Sequence, residues 1–258
     1  MKRTRISPNS VVLPDTIAKL CEGAVLYDSS CSPEARVVYV ERDGGYFIKS
    51  APAGTLKKEA LLDEYFHKKG LSAPVIDYLT YEGRDFLVTE RVVGEDATDA
   101  LYLSDPKRLS ALMGELLREL HENSFDGCPV PDRTKEYFAT AKKNFESGEL
   151  DLSYADFKSA DAAYEALLEG EKILKSDALI HGDFCLPNFL LDKWRFSGYI
   201  DLGNGGVGDR HVDLFWGAWT LNFNLHTDAY RDRFFDAYGR DKIDENALRA
   251  VSAAEVFG

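Results

Sequence analysis

Residues Ile180 to Asp213 constrain this chain more than any other stretch, reading I-H-G-D-F-C-L-P-N-F-L-L-D-K-W-R-F-S-G-Y-I-D-L-G-N-G-G-V-G-D-R-H-V-D. His181, Asp183, Asn188 and Asp201 sit there between short apolar runs, which predicts turns joined by short strands. Asp183 and Asn188 have the spacing D-x-x-x-x-N, and Asp201 follows a strand-like segment and precedes Leu202-Gly203. An aspartate that can face a substrate hydroxyl, an asparagine that can ligate metal and an Asp-x-Gly, in that order, form a metal-assisted transfer site. Singly, each of these residues would be a turn or capping residue; the ordered set favours chemistry.

The 258 residues can bury a sizeable core as one large domain or two lobes. A net charge of −13 argues against nucleic acid, whose phosphates would be repelled. It suits a cationic small-molecule partner, although solubility alone also accounts for it. No apolar run approaches membrane-spanning length, and the basic start Met1-Lys-Arg-Thr-Arg lacks a following apolar region, so neither a membrane partner nor a secretory signal is expected. Cys21, Cys31, Cys128 and Cys185 are scattered without a C-x-x-C pair, as expected of reduced thiols in the cytoplasm rather than disulfides or a zinc site.

Along the chain, residues 24–50 alternate as hairpin strands around the turn Asp43-Gly44-Gly45, so Lys49 ends an apolar strand. Leu56 to Gly70 carries a helical stripe of Leu56, Leu61, Leu62, Tyr65 and Phe66. Glu59, near its start, can aim a carboxylate at Lys49; alone it could instead be a first-turn acid favoured by the helix dipole, but considered with Lys49 the functional role is favoured. Two further strands, from Val75 and Asp85, complete a sheet of about five strands with one helix. Glu90 to Gly94 would then be a hinge, where the backbone of Glu90 and Val92 can meet a purine edge. Helices are expected over Pro106–Asn123, Tyr137–Phe145 and Tyr164–Ile173, the last two flanking an acidic connector from Glu149 to Asp156. His121 reads as a capping or packing residue. Leu214 to Leu225, with Trp216 and Trp219 at helical spacing, reads as a buried helix, followed by helices over Asp228–Tyr238 and Asn246–Phe257.

Phosphoryl transfer gathers several negative charges, so it needs cations on the phosphates and positioned oxygens at the nucleophile. Lys49 is the well-placed cation, Asn188 and Asp201 offer hard oxygens suited to Mg²⁺, and Ser32 could reach a phosphate from the first hairpin loop. Asp183 would orient the acceptor hydroxyl and take its proton late. Neither G-x-G-x-x-G in that hairpin nor a Walker A sequence is present.

The segments His181 to Asn188 and Ile200 to Leu214, Leu120-His121 with Cys128-Pro129, and Ser30-Cys-Ser-Pro-Glu-Ala together resemble the aminoglycoside 3′-phosphotransferases, the kanamycin-kinase branch of the antibiotic kinases. The resemblance runs from about Ser29 to Phe257. It implies an α+β, bilobal protein-kinase-like fold: a small antiparallel-sheet lobe over residues 1–93 and a larger helical lobe over 94–258, with inserted substrate-binding helices at about 133–175. It implies transfer of the ATP γ-phosphate, with GTP possible, to the 3′-hydroxyl of an aminoglycoside. By resemblance, Asp183 is the catalytic aspartate, Asn188 and Asp201 are the Mg²⁺ ligands, Lys49 and Glu59 position phosphate, Ser32 is the nucleotide-loop serine, Phe47 stacks on adenine and His181 buttresses the loop. Asp156 and Glu255 would bind the cationic acceptor, with Glu149 and Asp151 as weaker candidates.

Several positions depart from the resemblance. Ala254 replaces the aspartate of the D-E-x-F ending, and Gly258 extends past Phe257. Asn204 stands where many members carry arginine, and Trp219 and Phe223 fall where polar drug-contacting residues are common. The alternatives are therefore a related kinase for another hydroxylated metabolite and a non-catalytic nucleotide- or drug-binding module.

Overall fold

The computed structural model describes residues 3–154 and 157–258, and the backbone groups into two compact units, Met1–Asp96 with Pro187–Gly203, and Ala97–Leu186 with Asn204–Gly258. In chain order the first segment contains β1 (Thr4–Ile6), α1 (Asp15–Leu20), β2 (Val25–Asp28), β3 (Arg36–Glu41), β4 (Tyr46–Pro52), α2 (Lys57–Lys68), β5 (Val75–Tyr81), β6 (Arg84–Glu90) and β7 (Glu95–Asp96). There follow α3 (Ala100–Leu103), α4 (Pro106–His121), α5 (Arg133–Ser147), α6 (Ala160–Gly170), β8 (Ala178–Ile180), β9 (Phe189–Asp192) and β10 (Arg195–Tyr199). The chain closes with β11 (Gly206–Gly208), α7 (Arg210–Leu225), α8 (Arg231–Tyr238) and α9 (Glu245–Glu255).

The first unit is built on a six-stranded antiparallel sheet in the order β1-β2-β3-β4-β6-β5. This is one strand more than expected, because the three-residue β1 is too short to show a pattern, yet pairs Thr4 with Asp28. Period-two alternation gives the sheet two faces. Val38, Val40, Ile48, Phe86 and Val88 point to one side and are buried with Ile17 of α1 and Leu26. On the other face Val37 lies opposite Lys49 and Lys49 opposite Leu87, while Phe47 lies opposite Thr89. Helix α2 covers part of that second face, with Leu56 at its N-cap and Ala60 in its first turn packed against Ala51 and Leu87.

The sequence-based division kept all of 94–258 together. In the structure residues 187–203 belong with the first unit, because β9 pairs with both β10 and β7, placing Glu95 opposite Leu191 and Asp96 opposite Leu190. Asn188 and Asp201 therefore share a unit with Lys49, while Asp183 lies in the other.

The second unit is helical. In α4, Asp105 accepts a hydrogen bond from the Arg108 N–H at 3.1 Å and Pro106 occupies the first turn, a strong start signal. Its stripe of Leu109, Met113, Leu116, Leu117 and Leu120 is buried, at roughly 1.5–3 kcal/mol per side chain. A second core joins Phe138 and Ala141 of α5, Ala163 and Leu167 of α6 and one face of α9. Ala254 is fully buried in it, an environment in which an aspartate would need a partner for its charge. Strands β8 and β11 pair antiparallel, Ile180 opposite Gly206.

The expectation that the helix from Leu214 is simply buried needs correction. Helix α7 starts at Arg210 and buries His211, Val212, Asp213, Leu214, Gly217, Thr220 and Leu221, whereas Trp216 and Trp219 are only partly buried and Phe223 is 60 % exposed. Among the described residues no helix is long and apolar enough to cross a membrane.

Candidate active site

In the first unit a cavity of about 440 Å³ is lined by Ser32, Phe47, Lys49, Glu59, Glu90, Val92, Asn188 and Asp201. All eight were singled out in the sequence for nucleotide or metal, and strand register explains the grouping. Phe47 and Lys49 are two apart on β4 and so share a face. Glu59, in the first turn of α2, reaches the same lysine. The N–H of Glu90 is engaged by the Pro74 carbonyl at 3.1 Å. The Phe47 ring packs 5.1 Å from that of Tyr39, and the Arg3 guanidinium sits 5.7 Å from its centroid.

Lys49 is the electrostatic centre. Its Nζ donates to Glu59 Oε1 at 2.8 Å and Oε2 at 2.9 Å, and to Asp201 Oδ1 at 2.7 Å. Burial alone would lower the lysine pKa; the Glu59 and Asp201 charges outweigh it and hold the ammonium above its ordinary value. Asp201 has a φ of +62°, a left-handed conformation uncommon outside glycine and asparagine-like residues. The Asn188 carbonyl accepts the Ile200 N–H at 3.0 Å, which holds the residue before Asp201 against Asn188 across the open end of the β9–β10 hairpin.

Asp63 belongs to this cavity and was missed in the sequence. It lies one helical turn beyond Glu59, is only 6 % exposed, and burial and the Glu59 charge push its carboxyl well above the usual range. Its i,i+4 spacing from Glu59 was the available signal.

In the second unit the loop carrying Asp183 hangs from Asp213. Asp213 Oδ2 accepts the His181 N–H and Oδ1 the Gly182 N–H, both at 2.7 Å. The His121 ring lies 3.0 Å from Oδ2 through Nε2 and 2.9 Å from the Tyr238 hydroxyl through Nδ1. An Nε2-protonated His121 donates to the carboxylate and accepts from Tyr238. Gly182 has a φ of +82°, and a Cβ there would collide with the Asn204 carbonyl. The Asp183 N–H donates to His181 Nδ1 at 3.3 Å, and the Leu186 N–H to Thr220 Oγ1 at 3.2 Å. Burial and the Asp183 charge push the Cys185 thiol far up, so it is a packing group rather than a nucleophile. Asp213, the last residue of the Ile180–Asp213 stretch, has no role assignable from sequence alone, because the groups it binds are brought to it by the fold.

Glu255, expected to bind a cationic acceptor, is 8 % exposed. Its Oε1 accepts from the Tyr137 hydroxyl at 2.6 Å and from Trp216 Nε1 at 2.9 Å. Burial pushes its carboxyl up to about 7, the two donors pull it down, and the Asp183 charge raises it. The Asn204 carbonyl accepts from Arg133 Nε at 2.9 Å, so a guanidinium from α5 is held beside this position. Of the weaker acidic candidates, Glu149 and Asp151 are exposed and take hydrogen bonds from Ser147 and Ser153. Asp156 lies outside the described residues.

The Phosphotransferase enzyme family matches residues 33–251. A probable aminoglycoside 3′-phosphotransferase of Lactococcus lactis subsp. lactis is 44% identical, covering 100% of this chain and 99% of its own. An aminoglycoside 3′-phosphotransferase of Streptomyces fradiae is 31% identical over 91% of both chains. Among solved structures, an aminoglycoside-3′-phosphotransferase of type VIII superposes with a TM-score of 0.73 at 25% identity, covering 95% of this chain and 98% of its own. The α+β, kinase-like fold class expected from the sequence is the one these neighbours share. With the match spanning most of its length, this chain belongs to the phosphotransferase enzyme family and groups within it with the aminoglycoside 3′-phosphotransferases.

Proposed function

We infer that this protein is an aminoglycoside 3′-phosphotransferase: it moves the γ-phosphate of ATP to the 3′-hydroxyl of kanamycin- and neomycin-type drugs and so confers resistance to them. The observation that carries this reading is the Lys49 ammonium gripped by both Glu59 oxygens at 2.8 and 2.9 Å on the wall of the 440 Å³ cavity. Such a pair holds a fixed positive charge where α- and β-phosphates need it. Phe47 offers an aromatic surface for the purine, and the backbone from Glu90 to Val92 offers its edge contacts, with GTP as the alternative nucleotide. Ser32 covers the phosphates from the loop.

Asn188 and Asp201 supply hard oxygen donors that fit Mg²⁺. Among the described residues no cluster of three His, Cys, Asp or Glu could cage a metal alone. That suits an ion shared with phosphates and water, which is how Mg²⁺ is commonly held. When bound, the ion neutralises charge on the transferring phosphate. Asp183 orients the acceptor hydroxyl and accepts its proton as the P–O bond forms, and ADP leaves. Glu255, with Asp156 as a second candidate, meets the acceptor's ammonium groups. Such an enzyme would work in the cytoplasm, where ATP is available.

A coupled ADP-release assay tests this. Turnover is expected with kanamycin and neomycin and none with tobramycin, which lacks a 3′-hydroxyl. Equal turnover of tobramycin would overturn the 3′ assignment.

A further inference from the structure

The short strand β1 brings a cation to the cavity of the first unit that sequence periodicity does not show. Arg5 lies opposite Tyr27, Tyr27 opposite Tyr39, and Tyr39 opposite Phe47, so one row of side chains crosses four strands on a single face. Arg3 stands two residues before Arg5, which by the period of two puts it on that same face. Its guanidinium lies over the Tyr39 ring, 3.8 Å from the centroid, and 5.7 Å from the centroid of Phe47. Arg3 lines the cavity together with Ser29, Cys31 and Ser32 of the loop after β2.

Among the described residues three cations line this cavity, and two of them face carboxylates of the protein itself. Lys49 is held by Glu59 and Asp201, and Arg91 Nη2 lies 3.9 Å from Glu95 Oε1. Arg3 is exposed, has no carboxylate partner among the described residues, and rests on ring faces instead. A guanidinium laid on a ring keeps its N–H donors in its own plane, directed outward toward an anion. The cavity wall also carries Glu59, Glu90, Asp96 and Asp201, so a polyanion entering it needs more than one cation. We propose that Arg3 is a nucleotide-binding residue: its guanidinium, braced on Tyr39, donates to the phosphate chain while the purine lies on Phe47. This rests on reading the cavity as a nucleotide site and adds a second cation to Lys49, supplied by the strand at the edge of the sheet. The phosphates are the part selected, because purine and ribose are uncharged and a guanidinium–phosphate pair is charge-assisted and can be bidentate.

Calorimetric titration of the full chain with ADP and with adenosine, in the presence of Mg²⁺, tests the assignment. The proteins compared are the unaltered chain, Arg3→Gln, Arg3→Lys and Arg5→Gln; Arg5 shares the strand face and the charge but is not among the residues lining the cavity. Arg3→Gln is expected to raise the Kd for ADP about five- to twentyfold, the loss of one charge-assisted contact, and to leave adenosine within about twofold. Arg3→Lys, which keeps the charge without the planar fork, should raise it about two- to fivefold. Arg5→Gln should leave both ligands within about twofold. In turnover, the KM for ATP should rise with the ADP Kd in Arg3→Gln while the KM for kanamycin holds. An unchanged ADP Kd in Arg3→Gln, equal losses for ADP and adenosine, or an equal ADP loss in Arg5→Gln would each overturn the phosphate contact and leave the nucleotide site intact. No binding of ADP by the unaltered protein would overturn the nucleotide reading and the Arg3 assignment together.

Discussion

Lys49 and Asp201 are joined by a 2.7 Å hydrogen bond although 152 positions separate them in the chain. The lysine comes from the fourth strand of the sheet and the aspartate from the turn after β10, and the pairing of β9 with β7 brings that turn into the same unit. A charge on a strand and a carboxylate in a left-handed turn are thus set by backbone pairing rather than by neighbours in sequence.

Removing this cation should be costly for chemistry. Lys49→Met is expected to lower kcat/KM for kanamycin by about 10²–10³, the usual loss for one preorganised charge donor. Steady-state kinetics at saturating ATP measure it, and a loss below about threefold would show that Lys49 does not hold the phosphates.

Asp213 is a structural prediction. Asp213→Ala leaves two loop N–H groups and the His121 ring without the acceptor they share. Breaking a buried charged network of this kind costs about 3–5 kcal/mol. Urea unfolding should show it; a change under about 1 kcal/mol would mean the loop finds other partners.

The pH dependence of stability follows from Glu255. Its folded-state pKa is raised to about 7 from 4.5, so the folded protein keeps a proton that the unfolded chain has released. Stability therefore falls as pH rises through that window, by about 3 kcal/mol at roughly 1.4 kcal/mol per unit. Glu255→Gln keeps an acceptor for Tyr137 and Trp216 without the charge. It should unfold at higher urea than the parent at pH 8, with the difference vanishing near pH 4; a constant difference across that range would contradict the assignment.

Asp63 leads to a similar outcome from the other unit. The raised pKa means its ionised form is disfavoured in the fold, so its cost is absent below the ordinary carboxylate range and grows as pH rises through the folded value. Asp63→Leu is expected to stabilise the protein at pH 8 by about 1–3 kcal/mol. Thermal melts at pH 5 and 8 check it, and a destabilised variant at both would mean the carboxyl is needed where it lies.

The site was legible where chemistry forces residue order. Asp183, Asn188 and Asp201 stood out by spacing, and Lys49 with Glu59 by a strand running into a helix. Helices α4 and α5 were legible from their stripes, because apolar period and burial coincide there. Beyond that, the sequence underdetermined the fold. β1 is too short to carry a period, and the return of 187–203 to the first unit depends on two-residue pairing with β7. The aromatic residues of α7 read as core because Trp and Phe usually are, yet the buried stripe includes Gly217, which allows close approach of the Phe234 ring, and Thr220, which accepts the Leu186 N–H of the loop. Asp213 and Asp63 were silent for a shared reason: a carboxylate's value lies in its partners, and those are distant in sequence.

The central claim, transfer from ATP to one particular hydroxyl, is tested most directly by incubating the protein with γ-labelled ATP, Mg²⁺ and kanamycin and locating the label by phosphorus NMR of the isolated product. A single phosphate ester on the 3′-oxygen is the predicted result, and it should be lost in Asp183→Asn. Label at any other hydroxyl, or an undiminished yield from that variant, would contradict the account.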